Sequence, residues 1–345
     1  MQTEQSKPWK IVYTDPMWAL TEDGAIDADR ADIETRIYGD SARLDLGVHD
    51  GRDFVRKGPL LNEKLSEADA VVIYRTQITE EVVGVLRPNC KVVARQGVGV
   101  DNLNAGLLQR AGIFAFNVSD YCVEEVSTHT LAMILALERG ICRQNDHIKT
   151  GNWGIFFGGT PRRLSGLTLG IVGYGRIGRA TSRKAQAFYD RVIAWDPYVH
   201  DDLMQGYGVR KCASLSDLLQ QSDVVVLHCA LNDETRSIID ERSIADIKPG
   251  ALLINTARGA LIQPAAVLWA LANGRLGGYA SDVFTPENPN EDPINKRIVQ
   301  FANVIVTSHR AFLSRSAETS QRARLAMQVR QVLSTGLPPQ SDRVA

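Results

Sequence analysis

The stretch TLGIVGYGRIGRA, Thr168 to Ala180, decides the fold. LGIV is a short apolar run of the kind that forms a buried parallel strand, and RATSRKAQAF after it has helical character. Between them Gly173, Gly175 and Gly178 stand in the pattern G-x-G-x-x-G. A lone match to this pattern is weak, because a glycine-rich turn can join any strand to any helix. Here the strand precedes it, the helix follows it, and Asp196 stands 18 residues beyond the third glycine, at the end of VIAW. That combination is the fingerprint of a dinucleotide site. Gly173 permits the tight turn, Gly175 lets backbone approach a pyrophosphate, and Gly178 lets the helix pack close to the strand. The amides at the helix N-terminus, with Arg176 and Ile177, then meet the negative charge. Asp196 accepts hydrogen bonds from the adenosine ribose hydroxyls and repels a 2′-phosphate, so the expected cofactor is NAD rather than NADP.

Outward from this turn the same alternation continues. RVIAWDP, SDVVVLHCALN, GALLINTARG, GGYASDVF and NVIVTSHR are apolar runs that each stop at polar or small residues. In an open parallel sheet ligands bind beyond the carboxyl ends of the strands. Upstream, KIVYTD, AVVIYR and KVVARQG form a first α/β unit over residues 1–117. A proline-free segment from Asp120 to about Lys149 carries apolar residues at spacings of three and four, with a single glycine, and reads as one long helix capped by Asp120. Such a helix could carry the chain between domains. A final helix, roughly Ala317 to Leu333, returns to the first unit, and the last ten residues, GLPPQSDRVA, read as a loosely held tail. The expected fold class is α/β, with two Rossmann-like domains built on doubly wound parallel sheets. The substrate domain is discontinuous (residues 1–117 and 310–345) and the NAD-binding domain, 118–309, is inserted into it.

Composition excludes several functions. The chain of 345 residues is 44% apolar and 23% charged, with 39 basic and 40 acidic residues and a formal charge of −1. These are the proportions of a globular protein without the electrostatic footprint of a nucleic-acid or anionic-membrane binder. No apolar run approaches the length of a membrane span, and MQTEQSKPWK lacks the apolar core of a signal peptide, so a cytoplasmic location is expected. The five cysteines form no C-x-x-C pair and the six histidines no H-x-x-x-H or H-E-x-x-H pattern. No metal and no disulfide framework are expected.

Three ionisable residues stand at or just beyond the ends of consecutive strands: Arg258 in NTARGAL, Glu287 in DVFTPEN and His309 in VTSHRAF. An isolated histidine after an apolar run is commonly structural, and its company decides the matter. With these motifs the sequence resembles the D-isomer-specific 2-hydroxyacid dehydrogenases over nearly its whole length, from RQGVGVDN through TGNWG and the glycine turn to NVIVTSH. Within that superfamily DYCVEEVSTHTLAMILAL and DVVVLHCALNDETRSIID resemble the branch of the C-terminal-binding proteins, with D-3-phosphoglycerate dehydrogenases and glyoxylate or hydroxypyruvate reductases as close neighbours.

The resemblance implies roles. Arg258 is similar to the arginine that holds the substrate carboxylate and polarises the carbonyl, a task suited to a planar, permanently charged fork. His309 matches the general acid/base and Glu287 its partner. A carboxylate beside an imidazole favours the protonated ring and fixes which nitrogen faces the substrate. Asp282 resembles the residue that orients the nicotinamide carboxamide, although such a residue can also cap a loop. Thr256 and Ala257 line the cofactor on the same side, and Cys229, Ala230 and Thr235 match the loop under the adenosine and pyrophosphate. Val98 and Gly99 resemble the substrate-domain amides that bind the carboxylate. The implied partner is a small 2-keto or 2-hydroxy acid, with a homodimer formed through the helix near Asp120.

Ser308 and Arg310 depart from the common pattern, in which proline precedes the histidine and a neutral residue follows it. Arg310 or Arg75 could reach a polar distal group of the substrate. Two other readings fit the same residues: an NADH-sensing interaction protein like the C-terminal-binding proteins, and a phosphite-type dehydrogenase.

Overall fold

The computed structural model describes residues 7–86, 89–339 and 342–344. Most of the amino-terminal stretch read for a signal peptide lies outside these residues. The chain divides into two units: residues through Tyr121 together with those from Ser314 onward, and Cys122–Leu313 between them. These limits lie four residues beyond each boundary read from the sequence.

The first unit holds five strands, β1 (Trp9–Tyr13), β2 (Ala42–Asp45), β3 (Ala70–Ile73), β4 (Val92–Arg95) and β5 (Phe114–Phe116). They form a wholly parallel sheet in the order β2-β1-β3-β4-β5. β3 and β4 are buried along their whole length, which is why they read as continuous apolar runs rather than as alternation. The returning helix, Arg315–Thr335, belongs to this unit. Its Arg322 makes a two-pronged ion pair with the fully buried Glu34, at 2.9 and 2.6 Å, and lies 3.9 Å over the Trp18 ring. The expectation of a loose tail is wrong for residues 342–344. Val344 N donates to Ala115 O (2.8 Å), Asn117 N donates to Asp342 O (3.1 Å), and the Asp342 carboxylate accepts from Ser119 and Arg324. The tail is held because β5 is an edge strand with backbone groups to satisfy.

The second unit holds seven strands: β6 (Thr168–Val172), β7 (Arg191–Trp195), β8 (Arg210–Lys211), β9 (Val224–Leu227), β10 (Ala251–Asn255), β11 (Leu276–Ser281) and β12 (Val304–Val306). All are parallel, in the order β12-β11-β10-β9-β6-β7-β8. The order reverses between β6 and β9, the switch point at which doubly wound sheets bind ligands.

The segment after Asp120 is two helices, Val123–Glu138 and Ile141–Lys149, rather than one. The break falls at its single glycine: Gly140 adopts φ 61°, in the left-handed region that ends helices. Asp120 is not the cap. It binds Arg324 instead, and the first helix starts after Cys122 without a side-chain cap. Both helices lie within the second unit, so the chain passes between units ahead of them. No helix among the described residues is long and apolar enough to cross a membrane, and these residues contain no cluster that could hold a metal ion.

Candidate active site

The glycine turn follows β6 at the switch point. Gly173 has φ 92°, and a Cβ there would lie 2.4 Å from the Cys229 amide nitrogen, so only glycine fits. A Cβ on Gly178 would meet Gly173 O at 2.4 Å, which fixes the close packing of helix Arg176–Ala185 on the turn. Gly175 differs: a Cβ there would meet nothing within 4 Å. Its small size answers no protein neighbour and leaves room for a ligand at a helix N-terminus that lacks a side-chain cap. Arg176 is exposed and Ile177 half-buried in the first turn of that helix. These residues fit a pyrophosphate.

Asp196 follows β7 and accepts from Tyr174 N (2.8 Å) and Tyr198 N (2.9 Å), which ties it to the glycine turn. Asp196→Asn keeps one acceptor oxygen and removes the charge. The ratio of kcat/KM for NADPH over NADH is expected to rise at least ~10-fold, about 1.4 kcal/mol, in steady-state assays with both cofactors. An unchanged ratio would remove Asp196 as the selector. After β9, Thr235 Oγ1 donates to Ala230 O (2.6 Å) and accepts from Asn232 N (2.9 Å), shaping the loop that contains Ala230 and Thr235. Burial pushes the Cys229 thiol up to about 12, so it is no nucleophile at neutral pH.

His228, beside Cys229, bonds Thr181 Oγ1 at 2.9 Å through Nε2, and burial pushes its imidazole down from 6.5 to about 3. A ring that stays neutral in the native state while the unfolded chain takes up a proton contributes stability above pH 6.5 that is lost as pH falls. Below that pH the wild type is expected to lose stability faster than His228→Gln, by less than the ~1.4 kcal/mol per pH unit that one proton allows, because the residue keeps some solvent contact. Urea melts of the ligand-free proteins between pH 4 and 8 check this, and parallel curves would contradict it.

The three ionisable residues lie past the carboxyl ends of the adjacent strands β10, β11 and β12. His309 Nδ1 meets Glu287 Oε2 at 2.9 Å, with side chains 17% and 39% exposed, which leaves Nε2 as the nitrogen able to face a substrate. Arg258 is held from behind: the fully buried Asn255 donates to Arg258 O (2.9 Å) and accepts from Ala257 N (3.1 Å). The guanidinium donates to Ala257 O (2.8 Å). Thr256 is fixed by Thr130, hydroxyl to hydroxyl at 2.8 Å. A Cβ on Gly259 would lie 2.2 Å from the Phe284 carbonyl carbon, so the β10 and β11 loops are locked together.

Asp282 serves this assembly in the manner of a loop cap. It is 1% exposed, and its carboxylate accepts from Thr307 Oγ1 (2.5 Å), Arg310 N (2.9 Å) and Ala311 N (2.8 Å). Its carbonyl accepts from His309 N (2.7 Å). Both carboxylate oxygens are engaged by the loop that carries His309. His129, from helix Val123–Glu138, joins the same cluster, its Nε2 3.1 Å from Thr307 Oγ1. No local spacing in the sequence links it to a residue 178 positions away. Burial pushes the His129 ring down and Arg310 acts the same way, whereas Asp282 pulls it up.

Val98 and Gly99 lie in the first unit, on the loop after β4, where Val98 O accepts from Asn117 Nδ2 (2.6 Å).

Residues 131–311 match the family model described as the D-isomer specific 2-hydroxyacid dehydrogenase, NAD binding domain. A D-3-phosphoglycerate dehydrogenase of Methanocaldococcus jannaschii is 34% identical over 79% of this chain and 51% of its own length. The 2-hydroxyacid dehydrogenase A of Aspergillus oryzae is 35% identical over 73% of this chain and 75% of its own. The chain thus spans about half the length of the D-3-phosphoglycerate dehydrogenase it matches. A crystal structure of D-lactate dehydrogenase from Aquifex aeolicus, complexed with NAD and lactic acid, has a TM-score of 0.82 and 26% identity, covering 95% of this chain and 96% of that one.

Proposed function

The chain belongs to the D-isomer-specific 2-hydroxyacid dehydrogenase family, and on that footing we propose that it is an NAD-dependent reductase of small 2-keto acids, with His309 as general acid. The observation that carries this is the 2.9 Å pair of His309 and Glu287, which follow β12 and β11, the two strands next in order to β10, which leads into Arg258. NADH, when bound, supplies a hydride to C2 of the keto acid. Gly173, Gly175, Arg176, Ile177, Gly178, Asp196, Cys229, Ala230, Thr235, Thr256 and Ala257 would hold it, and Asp282 fixes the loop that carries His309.

Arg258 grips the substrate carboxylate and polarises the carbonyl, and the family resemblance adds the amides of Val98 and Gly99 as carboxylate donors. Glu287 holds the His309 ring so that its Nε2 proton passes to the carbonyl oxygen, and the alkoxide is neutralised as it forms. In the reverse direction the same nitrogen takes the proton back. Arg75 or Arg310 meets a polar distal group on the substrate. If neither does, Michaelis constants for charged and uncharged keto acids will be unchanged in Arg75→Ala and Arg310→Ala.

A screen of NADH oxidation over glyoxylate, hydroxypyruvate, pyruvate, phenylpyruvate and phosphohydroxypyruvate tests the assignment. Turnover of at least one acid is expected. Tight NADH binding with no turnover would favour the sensing protein, and phosphite-dependent NAD reduction the phosphite enzyme.

The proposal includes a cytoplasmic homodimer. Trp153, Ile155 and Phe156 are 82%, 75% and 76% exposed, on a segment fastened by Gln144 Nε2 to Phe157 O (2.6 Å) and by stacking of His147 on Phe157. A fixed apolar patch of this kind suits a second copy of the chain. Light scattering is expected to give a dimer for the wild type and a monomer for Trp153→Ser/Phe156→Ser. A monomeric wild type would contradict it.

A further inference from the structure

We propose that His129 is a positioning residue for the reaction, its Nε2–H holding the Thr307 hydroxyl against Asp282 and so fixing the loop that presents His309. This rests on the function proposed above. His309 has φ 54°, a left-handed conformation uncommon for a non-glycine residue. The restraint converges on Asp282, which accepts from the backbone of His309, Arg310 and Ala311 and from the Thr307 hydroxyl.

The proton count then assigns a role to His129. Thr307 Oγ1 has one hydrogen, and it is given to the Asp282 carboxylate at 2.5 Å. Toward His129, 3.1 Å away, the same oxygen can only accept, so His129 Nε2 carries the proton. A neutral Nε2–H ring meets this need, and burial together with Arg310 keeps the ring neutral although Asp282 lies 3.9 Å from it. His129 comes from a helix outside both the β11 and the β12 loops, and so fastens the His309 loop to a separate element.

His129→Ala is expected to lower kcat about 10-fold while the KM for NADH stays within about 2-fold, because misplaced proton donors slow chemistry rather than cofactor binding. His129→Gln, whose amide nitrogen donates in place of Nε2, is expected to recover most of the loss. Thr307→Val is expected to reproduce the defect, and His129→Ala/Thr307→Val to be no worse than either single change. Nitrogen-15 NMR of the histidine rings supplies a readout independent of turnover. The expected signal is an Nε2–H tautomer of His129 whose exchange with water quickens in Thr307→Val. An undiminished kcat in His129→Ala, multiplicative losses in the double variant, or an Nδ1–H tautomer would each overturn the proposal. A wild type inactive on every keto acid would sink the functional reading, and the NMR result would still decide the hydrogen bond.

Discussion

Replacement of His309 by alanine is expected to lower kcat for 2-keto acid reduction by roughly 10³-fold, within the range that general acid catalysis contributes. The NADH dissociation constant, measured by fluorescence titration, should stay within about 2-fold of the wild type, because the proposed dinucleotide site is the turn after β6 and the loops after β7 and β9. The two readouts separate chemistry from scaffold. The His309 ring is anchored through Nδ1 by Glu287 at 2.9 Å, so the alanine variant removes the proposed proton donor without removing a strand or a core residue. Loss of NADH binding along with activity would mean that His309 supports the fold rather than the reaction.

Arg258→Ala is expected to reduce kcat/KM for the keto acid by roughly 10³- to 10⁴-fold, since in its proposed role Arg258 supplies both the carboxylate grip and the charge facing the developing oxyanion. Arg258→Lys should recover part of this and remain about 10²-fold below the wild type, because an ammonium is a point charge and cannot span two oxygens. Asn255 and the contact of Gly259 with Phe284 hold the backbone there, so the variant loop should keep its course. Steady-state kinetics with both variants check the ranking, and equal losses in the two would remove the bidentate argument.

The inner strands β6, β9 and β10 were legible because each is short, apolar and buried along its whole length. Their apolar runs therefore mark them without any need for alternation. β8 carries no such signal: it is two residues long at the sheet edge. The glycine turn was equally legible, since Gly173 and Gly178 answer steric demands that exclude any other residue. The helix after Asp120 was misread because spacings of three and four run through Gly140 almost unbroken, and the left-handed break depends on one backbone angle. Asp282 shows a different limit. Its place after β11 is local information, but its burial and its bonds to Thr307, Arg310 and Ala311 depend on the pairing of β11 with β12. His129 was invisible for the same reason, being joined to the site only by tertiary structure.

The most direct test of the central claim is chiral analysis of the product when the wild-type protein consumes NADH with hydroxypyruvate, pyruvate or phenylpyruvate. The D-2-hydroxy acid is expected to appear mole for mole with NAD from at least one of them. Accumulation of the L-enantiomer, or NADH bound and left unconsumed with all three, would contradict the account.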